Sequence, residues 1–116
     1  HFLNQLLSFH VLKTYCEQGC RFYKAYLVNT NFEGSDLRGA SLEDTSMDGA
    51  NLKNAVVSGA YFSASLLDVA TAEGADFTDA QIPVKTLTSF CEKKDIVKGT
   101  NPVTGVDTRE SLMCLD

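Results

Sequence analysis

Hydrophobic residues recur at every fifth position through the middle of the chain. Counting from Phe22 gives Phe22, Leu27, Phe32, Leu37, Leu42, Met47, Leu52, Val57, Phe62, Leu67, Ala72, Phe77 and Ile82, all apolar and without insertion or deletion. Two positions before each of these centres stands a small residue: Cys20, Ala25, Thr30, Ser35, Ala40, Thr45, Ala50, Ala55, Ala60, Ser65, Ala70, Ala75 and Ala80. Two positions after, Gly, Asn or Asp recurs, at 29, 34, 39, 44, 49, 54, 59, 74 and 79. A helix would space its apolar residues at about 3.6 and a plain strand at 2, so a period of five fits neither. Within one unit the small residue and the centre lie two apart and share one face of an extended segment. The residue between them points outward, and the Gly-, Asn- and Asp-rich pair that follows suits a turn. Repetition of one short side and one corner predicts a solenoid with the two columns filling its interior.

The units GANLK at 49–53, GADFT at 74–78 and SDLRG at 35–39 carry a resemblance to the pentapeptide-repeat family, whose consensus is roughly A(D/N)LXX. The resemblance implies an all-β solenoid: a right-handed quadrilateral β-helix of about three coils from Cys20 to Ile82, with short α-helical caps. With four repeats per coil, residues 20 apart stack, giving inner columns Phe22–Leu42–Phe62–Ile82, Leu27–Met47–Leu67, Phe32–Leu52–Ala72 and Leu37–Val57–Phe77. Ala72 is undersized for a centre, so a local gap or a neighbouring aromatic leaning in is expected there. On the outside, Glu33, Lys53 and Glu73 form a column of alternating charge and Asn31 stacks on Asn51. Val56 separates Asp36 from Asp76, while Asp48 lies against Asp68 with no evident partner.

A solenoid needs covered ends. The chain divides into an N-terminal capping segment (1–19), the repeat region (20–82) and a C-terminal cap (83–116). Pro83 suits a helix start, and Val84, Leu87, Phe90 and Cys91 follow at helical spacing. After a turn-rich stretch over 99–105, Asp107 precedes Glu110 by three residues and approximates a capping box. A short helix from about Thr108 to Cys114 is expected next. Two such helices can bring Cys91 and Cys114 together, and a disulfide closing that loop would contribute about 3 kcal/mol. The run GTNPVTGVDTRESLMC (99–114), with Cys91 before it, resembles the tail of plant and algal thylakoid-lumen pentapeptide-repeat proteins, in which two short helices are tied by a disulfide. That resemblance covers about residues 20–116 and implies the chloroplast thylakoid lumen, in keeping with paired cysteines. Residues 1–19 fall outside it. Phe2, Leu3, Leu6, Leu7, Phe9, Val11, Leu12, Tyr15 and Cys16 are too apolar for a free tail, and an amphipathic or buried helix covering the first coil or docking on a partner is expected.

Composition narrows the classes. At 116 residues the chain suggests one domain. A net charge of −5 speaks against a basic nucleic-acid binder. No apolar run is long enough for a membrane span, and 44% hydrophobic residues are too many for a disordered chain. The sequence opens at His1, and residues 1–16 lack the basic region and cleavage site of a signal peptide, leaving open a targeting segment upstream.

Chemistry is sparse. Cys16 and Cys20, with His10 nearby, are a fragment of a zinc site without a second pair. They are also a possible second thiol pair, although helical i, i+4 geometry does not suit a disulfide. Both histidines lie in the N-terminal segment, and neither a nucleophile elbow nor a phosphate loop is present. No catalytic residue, cofactor or metal is assigned, and the chain is read as a non-enzyme. Residues 28–82 hold nine acidic and two basic residues, so the acidity belongs to the solenoid. The outward apolar positions Tyr26, Val56, Tyr61, Leu66 and Val69 either lie under a flanking segment or form an interaction patch. The resulting reading is a lumenal protein acting by protein–protein interaction, with a partner on the lumenal side of a photosystem or related thylakoid complex, as a subunit or assembly factor. The alternatives are an acidic DNA mimic that inhibits a topoisomerase and a redox-responsive thiol protein using Cys91 and Cys114.

Overall fold

The computed structural model describes residues 19–22 and 24–115. Its repeat region is held by single-residue parallel bridges between positions 20 apart, and these fall on four sides of each turn. One side stacks Arg21, Ser41, Tyr61 and Gln81; the next stacks Tyr26 and Ser46; the third Asn31, Asn51 and Thr71; the fourth Asp36, Val56 and Asp76. The third side shows the ladder. Asn51 N–H donates back to Thr30 O (2.9 Å), while Phe32 and Leu52 N–H donate forward to Asn51 O (2.8 Å) and Thr71 O (3.0 Å).

Each corner closes with a bond from the small residue to the preceding centre, as in Ala55 N–H to Leu52 O at 3.0 Å. The third residue of such a turn is left-handed, as a type II turn requires. All nine Gly, Asn and Asp positions of the third sequence column have positive φ, and Lys24 joins them at 55°. The corner column therefore follows from backbone sterics: Gly, Asn and Asp adopt this conformation at least cost.

Large and small side chains alternate down the interior. Eleven of the thirteen centres are buried, and Leu67 and Ile82 are partly so. Phe22 meets Phe32 edge-on at 5.9 Å between ring centroids, and Phe77 lies 5.7 Å from both Phe62 and Phe90. At about 1.5–3 kcal/mol for a fully buried large side chain, this column dominates the stabilisation.

The repeat departs from the expected columns at one place. Residues Ala64–Asp68 form a 3-10 helix. Leu66, expected outside, is fully buried, whereas Leu67 is only partly buried and Ala70 is exposed. The cause lies in the corners. Ala64 and Val69 occupy third-column positions without a residue suited to positive φ, and neither adopts it. The chain instead tightens, with Leu66 N–H on Ser63 O and Val69 N–H on Leu66 O. The residue count is unchanged, so the ladder resumes at Thr71.

After Gln81 the chain leaves the coil. Helix α1 (Val84–Cys91) follows Pro83, whose ψ of 142° places it just outside the helix. Residues 96–98 then return to the third coil: Ala72 N–H donates to Ile96 O (3.2 Å) and Gly74 N–H to Lys98 O (2.8 Å). In this register fully buried Val97 becomes the next member of the Phe32–Leu52–Ala72 column, filling the place above the undersized Ala72. Helix α2 (Thr108–Ser111) starts at Asp107, whose carboxylate accepts from Glu110 N–H (3.1 Å). It ends earlier than the expected Cys114.

Candidate interaction surface

The tail decides which outward residues stay available. Cys91 and Cys114 form a disulfide with Cα atoms 5.6 Å apart. Asn101 is buried against the end of the coil. Its Nδ2 donates to Gly74 O (2.9 Å) and to the Asn54 and Ala55 carbonyls (both 3.3 Å). Its Oδ1 accepts from Val103 and Thr104 N–H, both at 2.9 Å. One amide thus satisfies the coil end on one side and folds the tail loop on the other. Phe77 N–H is met similarly by the Ser111 hydroxyl at 2.9 Å.

The loop that follows Asn101 runs along the fourth side, where Val103 and Thr104 face Ser35, Val56 and Ser58. Val56 is buried as a result, and so is Asp76, an expected surface carboxylate. Burial pushes the Asp76 carboxyl upward, but bonds from the Thr78 hydroxyl (2.6 Å), the Thr78 N–H (3.0 Å) and the Thr104 hydroxyl outweigh it and hold the pKa below the usual value. Asp36 on the same side forms a two-point ion pair with Arg38, at 2.7 and 2.9 Å. Its pKa is lowered mainly by that side-chain bond. On the third side Glu33 accepts from Asn51 Nδ2 at 3.4 Å.

Three of the five expected patch residues are therefore not on the surface. Val56 lies under the tail loop, Leu66 is turned inward by the 3-10 helix, and Val69 is buried at the end of the same turn. Tyr26 and Tyr61 remain, each 45% exposed. They stand on the first two sides, Tyr26 in the first coil and Tyr61 in the third. At the far end, a groove of about 430 Å³ between α1 and α2 has the disulfide in its wall and exposed Met113 and Leu115 on its rim.

His1, His10 and Cys16 lie outside the described residues. Cys20 is disulfide-bonded. Among the described residues no group of three or more His, Cys, Asp or Glu is placed to hold a metal ion, and no helix is long and apolar enough to cross a membrane.

Short parallel sides, left-handed corners and an interior of alternating large and small residues make this region a four-sided β-helix built on a five-residue repeat. Residues 18–54 match the family model for pentapeptide repeats, in eight copies. Among individual proteins, the chain is similar to thylakoid lumenal protein TL20.3 of Arabidopsis thaliana chloroplasts, with 52% identity over 42 residues. That match spans 36% of this chain and 14% of the relative's length. The crystal structure of a pentapeptide repeat protein from the Arabidopsis thaliana thylakoid lumen superposes with a TM-score of 0.61 at 24% identity, covering 94% of this chain and 88% of that one. Both of these proteins are described as thylakoid lumenal.

Proposed function

We propose that this chain is a non-enzymatic protein of the thylakoid lumen that binds another protein through the first two sides of its coil. The observation that carries this reading is the pair of exposed tyrosines. Tyr26 and Tyr61 stand on adjacent sides whose other bridged positions are Arg21, Ser41, Ser46 and Gln81. An aromatic ring with a polar tip among small polar residues is a common anchor for protein contacts. On this reading residues 20–82 are a three-coil spacer, closed at one end by residues 83–116. The partner is a protein on the lumenal side of a photosynthetic membrane complex, a choice supported by compartment. The DNA-mimic reading has less support, because Asp76 is buried and Asp36 is engaged with Arg38.

Native electrophoresis of solubilised thylakoids tests the proposal. The tagged protein is expected to migrate with a larger complex. The Tyr26→Ala/Tyr61→Ala variant is expected to migrate as free monomer with an unchanged melting temperature. Wild-type protein found only at monomer mass would remove the reading.

A further inference from the structure

The charges of the second and third coils are not spread evenly over the four corners. The corners bordering the second side carry Glu43, Asp44, Asp48 and Asp68, all exposed, and no basic residue. The other two corners of the same coils carry Lys53 against Glu73 and Asp79. The five-residue repeat does not require this. The position just after a centre holds Lys53, Ser58 or Thr78 as readily as an acid. Asp48 also lies one layer from Asp68, since Gly49 N–H donates to Asp68 O at 2.9 Å. Stacked like charges cost stability. Among the described residues none of these four carboxylates has an ion-pair partner.

Layers lie about 4.8 Å apart, inside the screening length of about 8 Å at physiological ionic strength. The four carboxylates therefore present one field to anything lying on the second side. The surface between them is low, with exposed Ser46 at its centre. Tyr26, one layer below Ser46, and Tyr61, on the adjoining first side, flank it with rings 45% exposed. A ring face beside a carboxylate offers a cation two kinds of attraction at once. We propose, building on the docking reading above, that the segment held on these two sides is a Lys- or Arg-bearing stretch of the partner protein, its cations set against Glu43, Asp44, Asp48 and Asp68. Arg21 and Lys24 stand on the first coil of the same face. The face is thus polar along the coil axis, and the cationic part of the bound segment lies towards the third coil. Charge complementarity selects this occupant, because an acidic segment or a nucleic acid would be repelled there.

Titration of the full-length protein into a fluorescein-labelled oligolysine peptide, followed by anisotropy at physiological salt, tests this. The variant Glu43→Gln/Asp44→Asn/Asp48→Asn/Asp68→Asn is expected to bind about tenfold more weakly than wild type. Its fold is preserved, because asparagine accepts the φ of 57° at position 44, and loss of the stacked repulsion leaves its melting temperature equal or higher. A control, Glu33→Gln/Glu73→Gln/Asp79→Asn/Asp95→Asn, removes as many charges elsewhere and should stay within about twofold of wild type. Equal weakening in the two variants, or none in the first, overturns the proposal. A dimer by sedimentation overturns it in favour of a second copy. Native electrophoresis of solubilised thylakoids separates it from the docking reading. The charge variant is expected to leave the complex as the tyrosine variant does. Release of the tyrosine variant with retention of the charge variant overturns the basic segment and leaves docking standing, whereas wild type at monomer mass removes both.

Discussion

The side-chain amide of Asn101 donates to the backbone carbonyl of Gly74 across 27 residues of sequence, at 2.9 Å. It also reaches the Asn54 and Ala55 carbonyls. The Gly74 and Asn54 oxygens depend on this amide, whereas Ala55 O also accepts from Asp76 N–H at 3.0 Å. Asn101→Ala should therefore cost about 3 kcal/mol, since each orphaned buried group carries a desolvation penalty of about 1–3 kcal/mol. Asn101→Asp should cost more, because it aims a carboxylate at three carbonyl oxygens. Urea denaturation of the two variants tests the order, and an aspartate variant as stable as wild type would contradict the arrangement.

Gly74 is a second tight point of the coil. It has φ of +76°, and a Cβ there would overlap Asn54 Oδ1 in the coil beneath. Gly74→Ala adds a left-handed penalty of about 1–2 kcal/mol to an overpacking cost of about 1–3 kcal/mol. Gly59 has a similar φ of +67° but open space around it, so Gly59→Ala should cost only about 1 kcal/mol. Adding Asn54→Gly to Gly74→Ala should recover at least half of the loss. Denaturation midpoints of the four proteins check the pattern.

Asp76 links stability to acid. Its folded pKa lies below the usual carboxylate value of about 3.9. The stabilisation is therefore complete above that value and is lost as pH falls through the lower folded pKa. Thermal melts between pH 2 and 7 should show wild type losing stability below about pH 4. Asp76→Asn should be less stable at neutral pH and show a shallower acid limb.

The two-column pattern made the coil legible in the sequence, because interior packing repeats with the chain. The corner column was equally legible, and its gaps at Ala64 and Val69 mark where the 3-10 helix replaces the regular side. Those gaps were the available signal for the inward turn of Leu66. The role of Asn101 had no such signal. Its partners lie 27 to 47 residues away, and a periodic pattern says nothing about a single side chain that ends it. The burial of Val56 and Asp76 was hidden for the same reason, since both depend on where an aperiodic loop comes to rest.

The disulfide ties the end of α1 to the segment just past α2 across 23 residues. Cys91→Ala/Cys114→Ala should lower stability by about 3 kcal/mol. The loss should concentrate in the tail, so the amides of Ala72 and Gly74, bonded to Ile96 and Lys98, should exchange faster than those of Leu42 or Phe32. Uniform acceleration across the coil would show that the tail and the repeats unfold as one unit.

Met113 has a φ of 59° and is 84% exposed just past α2. Met113→Gly should stabilise the protein by about 1 kcal/mol, because glycine takes this helix-end conformation at little cost. A thermal shift assay would register the gain, and a loss instead would mean that the methionine side chain contributes to the groove wall.

Bonds along the third side join residues 19 apart, as from Leu52 to Thr71, until the tail, where Ala72 reaches Ile96, 24 residues on. The lattice accepts residues 96–98 as if they were its next layer, but the α1 detour has delayed them by five residues, one whole repeat. In the language of crystal growth, the tail is an adsorbed impurity: it binds the advancing face with the lattice's own bonds and terminates it. The molecule carries its own growth inhibitor, so its length along the coil axis is fixed by a delay of five residues.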